Sequence, residues 1–472
     1  MRLAVVAFVL AVAAASAQAD TDSGATADAP KFDPLPPLPP AAFDLVPKPP
    51  EPPITGPTKI IAFRVEGQSK LRPRAASWLS HVDVGQTVVP GEEPQIEAAL
   101  MSSELFESAE VHFEAVPGGV VVVCKLHDKH SWIAAPTAYI LPGRYSVGGG
   151  FAESDLGGKN QKLLLYGQLG TATSLFLGAY LDPSIHGTKW QWRADVYLLH
   201  QIEDEYVNAP NMKTSFAVSR ESTDTFLDAG LLLGYTFRWW LVGDMRFRGA
   251  YAYFRDAHML DSASTPMPEP ESDGWDWTLQ THWTLDRRKR HFGVTWGPYV
   301  QVIGEVAIPG LSTYQYQDAS MRAYYSWKFF GDHELELRVG GNLGRHMPFH
   351  EEFTVGGTAD LRGYDVDQFR GDTRGMARAE YSLPVASWRV VYLRAIGFFD
   401  AGYTAFNFPD PSGMRDYLPS QMVGDSWLRT DAGVGVRIYV SSIVLPLLGF
   451  DVAYGIEARA PQYYFEIGLT DF

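Results

Sequence analysis

Two periodicities divide the chain. Residues 58–129 mix alternating stretches with helical ones. KIIAFRVEG alternates and predicts a strand, while RPRAASWLSHV predicts a short helix with Pro73 near its first turn. EEPQIEAALMSSELF puts Ile96, Leu100 and Leu105 near helical spacing. AEVHFEAVPGGVVVVCKLHD then predicts two alternating strands joined at Pro117-Gly118-Gly119. The order β-α-α-β-β suits one small independent α+β domain of about 70 residues.

From about residue 131 to Phe472 only alternation remains. In KWQWRADVYL, Trp190, Trp192, Ala194, Val196 and Leu198 share one face, and Gln191, Arg193 and Asp195 the other. DAGVGVRIYV sets Val434, Val436, Ile438 and Val440 against Gly433, Gly435, Arg437 and Tyr439. The last stretch, YYFEIGLTDF, sets Tyr463, Phe465, Ile467 and Leu469 against Glu466, Gly468 and Thr470. Segments of about 10 residues with one apolar and one polar face, separated by Gly, Asp, Pro and Ser turns, predict an antiparallel transmembrane β-barrel. Roughly 340 residues at about 20 per strand and turn give about 16 strands. A soluble sandwich or propeller also alternates. The 13 Trp and 23 Tyr, the lack of a blade repeat and the aromatic terminus Phe472 favour the barrel. Arg193, Arg394 and Arg437 point the same way, because a wet lumen holds them more cheaply than a dry core.

The termini sharpen this reading. MRLAVVAFVLAVAAASAQAD has Arg2, an apolar run and the small-residue site Ala17-Gln18-Ala19, so residues 1–19 read as a secretory signal peptide. Residues 20–57, with DPLPPLPPAAFDLVPKPPEPPITGP, read as an extended proline-rich linker. No later window has the roughly 20 apolar residues of a membrane helix. The lone cysteine, Cys124, precludes an intramolecular disulfide and falls on an alternating strand beside Val120 and Val122, where a buried core residue is expected. The formal net charge of −16 argues against nucleic acid as a partner.

One loop stands apart: EEFTVGGTADLRGYDVDQFRG carries Leu361-Arg362-Gly363-Tyr364 shortly after Gly356-Gly357. The glycines permit φ > 0 and close backbone approach, which marks a shaped loop tip around one cation. Parity supplies partners. If Ala379, Tyr381 and Leu383 face lipid, Glu380 faces the lumen; if Leu393, Ala395, Phe399 and Ala401 face lipid, Asp400 does not. Two inward carboxylates around an arginine make a charge-assisted clamp suited to pinning a loop inside a barrel. No nucleophile elbow, phosphate loop or metal-ligand spacing among the 12 His accompanies them, so neither an enzyme nor a cofactor is expected.

These residues resemble the BamA/TamA-type outer-membrane assembly and translocation superfamily, which includes the two-partner-secretion transporters. Its members join POTRA (polypeptide-transport-associated) domains to a 16-stranded bacterial surface antigen barrel. The family's arginine-glycine-aromatic motif matches Leu361-Arg362-Gly363-Tyr364. Its Phe-x-Asp-x-Gly strand matches Phe398, Asp400 and Gly402, and its Glu-Tyr-x-x-Pro strand matches Glu380 to Pro384. Its C-terminal insertion signal matches Tyr463, Phe465, Ile467, Gly468 and Phe472. The resemblance implies that Arg362 contacts Asp400 and Glu380 inside the lumen. It further implies one POTRA domain (58–129) in the periplasm and a barrel (131–472) in the outer membrane. Ser382 stands where many relatives carry arginine, so a thinner lumen network is expected. The implied function is insertion, assembly or translocation of polypeptides, with unfolded outer-membrane or secreted clients engaged by β-augmentation. A periplasmic partner could bind the POTRA domain. Export through the lumen and a passive or structural pore are the alternatives.

Overall fold

The computed structural model describes residues 54–103, 105–141, 144–207, 217–260, 263–291, 294–388, 391–408, 426–440 and 443–467. The expected signal peptide, the proline-rich segment up to residue 53, Gly468 and Phe472 lie outside them.

The small domain runs β1 (Thr58–Gln68), α1 (Pro73–Leu79), β2 (Thr87–Val88), α2 (Glu93–Ser102), β3 (Phe106–Val116) and β4 (Gly119–Asp128). Its sheet has the order β2-β1-β4-β3, with β1 and β4 parallel and β3 and β4 antiparallel. Alternation in β1, β3 and β4, with register shifts just after Ile60 and just after Phe106, turns Ile60, Phe63, Phe106, Val111, Val120, Val122, Cys124 and Leu126 onto one face. Ala75 and Ala76 of α1 and Ile96 and Leu100 of α2 close over it. Two details differ from the sequence pattern. The two-residue strand β2 intervenes between the helices, too short for any periodicity to reveal. Helix α2 stops at Ser102, so Leu105 joins the core from the following connection.

The chain passes directly from β4 into a closed antiparallel barrel of sixteen long strands. They begin with β5 (Trp132–Leu141), β6 (Arg144–Leu156), β7 (Gln161–Gly170), β8 (Thr173–Asp182), β9 (Trp190–Val207) and β10 (Ala217–Arg238). Next come β11 (Leu241–His258), β12 (Gly274–Asp286), β13 (Val294–Ala307), β14 (Gln317–Lys328) and β15 (Glu334–Arg345). The last are β16 (Thr373–Trp388), β17 (Val391–Ala405), β18 (Ser426–Val440), β19 (Ile443–Gly455) and β20 (Ala460–Ile467), and β20 pairs with β5.

The burial pattern is inverted relative to a soluble sheet. Along β11, Arg246, Arg248, Ala250, Ala252 and Phe254 are buried, whereas Met245, Phe247 and Tyr253 are exposed. Leu231, Leu233, Val434 and Tyr463 are likewise more than half exposed. Charges inside and large apolar groups outside fit a barrel whose solvent is lipid, and a soluble sandwich would reverse them. Because β5 leaves the small domain and directions then alternate, the β6–β7, β8–β9 and β10–β11 turns lie at the domain end. The connection after β15, residues 346–372, therefore starts from the far end.

Candidate functional site: a loop pinned across the barrel lumen

Residues 346–372 fold back into the lumen. They carry a short 3-10 turn (Phe349–Glu351) and a tight hairpin pairing Phe353–Val355 with Phe369–Gly371. Gly356 and Gly357 adopt φ of 137° and 85°, which turn the chain out of the hairpin. Gly363 serves close approach instead: a Cβ there would lie 2.6 Å from the Gly455 nitrogen.

The register of β16–β19 assembles a polar wall facing this tip. Arg378 lies directly across from Asp400, and Asp400 across from Asp431. Arg362 reaches into that wall. Its Nε and Nη2 donate to Asp400 Oδ2 (2.9 Å) and Oδ1 (3.2 Å), and its Nη1 donates to Glu380 Oε2 (2.9 Å). The guanidinium carbon stands 3.2 Å from the Phe398 ring centroid, giving the cation a π face as well. Arg362 is 1% exposed and Asp400 0%, so both ions depend on these partners for what water would otherwise supply.

Gly402 is the floor under the loop. A Cβ there would sit 2.7 Å from Val355 Cγ1 and 2.8 Å from Leu361 Cδ1. Leu361 and Tyr364 are buried with Val355 and Phe369 in a small apolar cluster belonging to the loop itself. The Tyr364 hydroxyl hydrogen-bonds the Glu457 carboxylate.

Several members of the site are silent in the sequence motif. Arg378 Nε donates to Asp400 Oδ1 at 2.8 Å, so one carboxylate serves two guanidinium groups. Asp431 Oδ2 accepts from the Gly363 amide (2.8 Å), and the Tyr464 hydroxyl donates to the Tyr364 carbonyl (2.6 Å). Asp451 sits between Arg362 (3.5 Å) and Arg437 (2.6 Å). Two further cations stand in the lumen near Ser382: Arg378 on the same strand, β16, and Arg437 on β18. Ser382 itself accepts from Arg394 Nε at 2.8 Å. Inward parity was a usable signal for Arg378, Asp431, Asp451 and Tyr464, but nothing in the sequence ranked them.

A second anchor holds the loop base against the opposite wall. Arg370 donates through Nη1 to Glu203 of β9 (2.7 Å), through Nε to Glu352 (3.1 Å) and through Nη2 to the Phe349 carbonyl (2.6 Å). Beside it, Arg248 of β11 contacts Glu351 (2.7 Å), Asp276 of β12 (2.6 Å) and Glu305 of β13 (3.2 Å). Asp276, His350 and Glu351 bring ligand-type atoms within 4.8 Å of one another. The Arg248 guanidinium already bonds both carboxylates of that group. The loop is therefore tied to two walls, by its tip and by its base.

Of the remaining expected residues, Tyr463 points outward at 55% exposure and Phe465 pairs with Ile140 across the closure. Ile467 pairs with Ala138 there, and the other two positions of the expected insertion signal lie outside the described residues.

A closed sixteen-stranded barrel, apolar outside and charged inside, with a loop clamped in its lumen by an arginine, defines an outer-membrane β-barrel protein. The Omp85 superfamily domain matches residues 155–470, and the chain belongs to that superfamily. Solved structures agree at the level of fold. BamA from Haemophilus ducreyi lacking POTRA domains 1-3 superposes with a TM-score of 0.55 at 15% identity, covering 87% of this chain and 84% of that one. CdiB from Escherichia coli superposes with a TM-score of 0.60 at 13% identity, covering 87% and 76%. CdiB from Acinetobacter baumannii gives 0.54 at 13% identity, covering 87% and 74%.

Proposed function

We propose that the protein inserts or assembles client polypeptides at the outer membrane, with its small domain acting as a periplasmic POTRA domain. The observation that carries this reading is the closure of the barrel. The last strand, β20, closes the barrel on the first, β5, pairing Phe465 with Ile140, Glu466 with Tyr139 and Ile467 with Ala138. No turn joins these two strands, so the wall parts there without straining a connection, and parting it exposes two strand edges at bilayer depth. In hydrocarbon such edges need a partner, so a client strand adds to them favourably.

The small domain offers a second edge. Strand β3 ends its sheet with eleven residues and, among the described residues, pairs on one side only, with β4. An extended client segment adds there by β-augmentation. The two-wall anchorage of the loop keeps the lumen ordered while the seam moves. Export through the lumen would require that loop to leave both anchors, which ranks it second.

The test is the folding rate of a denatured model outer-membrane barrel into liposomes that are empty or carry this protein. Acceleration is expected, and it should weaken in Arg362→Ala. In a Cys124→Ala background, an Ile140→Cys/Phe465→Cys disulfide across the seam should abolish acceleration until a reductant is added. A seam-locked protein that accelerates folding as well as the reduced form would refute the mechanism.

A further inference from the structure

The domain end of the barrel carries an arrangement that the insertion reading does not use. Its outward face bears a row of aromatic rings in contact. Trp190 meets Tyr235 (centroids 5.1 Å apart), Tyr235 meets Phe237 (5.1 Å), and Phe237 meets Trp283 (5.7 Å). Trp190, Phe237 and Trp283 are 48%, 45% and 52% exposed. All four rings come from the domain-end thirds of β9, β10 and β12. Such a belt marks the depth at which hydrocarbon gives way to lipid headgroups.

Beyond the belt stand exposed basic residues with no acidic partner among the described residues, in a chain whose net charge is −16. Arg72 and Arg74 lie on the small domain, beside the barrel turns. The Arg72 amide donates to the Gly158 carbonyl of the β6–β7 turn at 2.8 Å, next to the exposed Lys159. The Arg74 stem rests on the β8–β9 turn, with its Cδ 3.4 Å from where a Gly187 Cβ would stand. That turn leads into Trp190 of the belt. Further round, Arg287 sits with its guanidinium carbon 5.4 Å from the Trp240 ring centroid. None of Arg72, Arg74, Lys159 and Arg287 makes an ion pair among the described residues. The acids nearby are already engaged: Glu153 with Lys70 (3.5 Å), Asp286 with Arg288 (2.7 Å) and Asp83 with Lys189 (4.0 Å).

We propose that this basic arc binds anionic phospholipid headgroups of the periplasmic leaflet, the lipid phosphate bridging Arg72 and Arg74 of the small domain to Lys159 of the barrel. Charge selects the ligand's phosphate, and the aromatic belt, which begins at Trp190 just after the β8–β9 turn that Arg74 rests on, selects a lipid over a soluble anion. The bridge holds the small domain against the rim of the barrel. The proposal rests on the periplasmic placement of that domain. The experiment below uses purified protein, so failure of the insertion assay and failure of lipid binding are separate results.

Detergent-solubilised full-length protein would be titrated with phosphatidylglycerol or phosphatidylcholine and bound lipid counted by native mass spectrometry. Wild type is expected to prefer phosphatidylglycerol. The triple variant Arg72→Gln/Arg74→Gln/Lys159→Gln should lose that preference. At about fivefold per charge, its affinity should fall on the order of a hundredfold. The control Arg64→Gln/Lys125→Gln, on the small domain's sheet, should bind as wild type does, and heat-modifiable migration in gels confirms that each barrel is folded. Equal retention of both lipids by wild type, or unchanged phosphatidylglycerol affinity in the triple variant, would overturn the proposal. So would displacement of the lipid by millimolar inorganic phosphate, which would make the site one for a free anion.

Discussion

Replacing Asp400 with asparagine should release the lumen loop more completely than removing the arginine it holds. Asp400 is fully buried and accepts from Arg362 (2.9 and 3.2 Å) and from Arg378 (2.8 and 3.3 Å). Asp400→Asn leaves two buried guanidinium groups facing a neutral amide, and breaking a buried pair in this way costs about 3–5 kcal/mol. Arg362→Met removes the cation but leaves Asp400 paired with Arg378. Only the charge-assisted bonds of Arg362 are then lost, at about 1.5–3 kcal/mol.

The assay is maleimide labelling of Leu361→Cys in a Cys124→Ala background. Leu361 is 0% exposed when the loop is seated, so labelling reports the unseated population. At about 1.4 kcal/mol per tenfold, Asp400→Asn should speed labelling by roughly two to nearly four powers of ten, and Arg362→Met by one to two. Unchanged labelling in a folded Asp400→Asn barrel would refute the clamp. Faster labelling in Arg362→Met than in Asp400→Asn would refute the claim that Arg378 shares the carboxylate.

Four further outcomes follow from the same geometry. Gly402→Val drives a side chain into Val355 and Leu361 and should unseat the loop at a cost of about 1–3 kcal/mol, whereas Gly397→Val, with nothing within 4 Å of its Cβ, should not change Leu361→Cys labelling. Tyr464→Phe removes the bond to the Tyr364 carbonyl and should lower the barrel's thermal midpoint, measured by heat-modifiable migration, by the equivalent of about 1–2 kcal/mol. Arg370→Met strips the cation from Glu203 and Glu352, so planar-bilayer recordings should show more frequent channel openings than wild type; an equally quiet variant would deny the second anchor a role in closing the lumen. Burial pushes the Cys124 thiol up to about 12, so it should resist thiol reagents at pH 8 until the small domain unfolds. The unfolded thiol ionises near 8.5, so unfolding releases a proton above that pH. The domain should therefore lose stability from about pH 8.5 towards 12, and Cys124→Ala should remove that contribution in urea titrations.

The strand content, the lipid-facing side of each strand and the two-part organisation were legible because they are local. A period of two is written in adjacent residues, and the inverted burial of Arg248 and Phe247 follows once lipid is taken as the solvent. Arg362, Glu380 and Asp400 stood out for a related reason: a glycine-framed cation and two inward carboxylates are short patterns. What closes the site is not local. Tyr464 meets Tyr364 across 100 residues, and Arg370 meets Glu203 across 167. Parity says that such a side chain faces the lumen but not at what height or opposite which wall, because strand stagger and loop path are properties of the closed barrel. The sequence by itself determined which residues face lipid and which face the lumen. Only the tertiary structure decided which inward charges meet, since each buried ion takes whichever partner the register brings within reach.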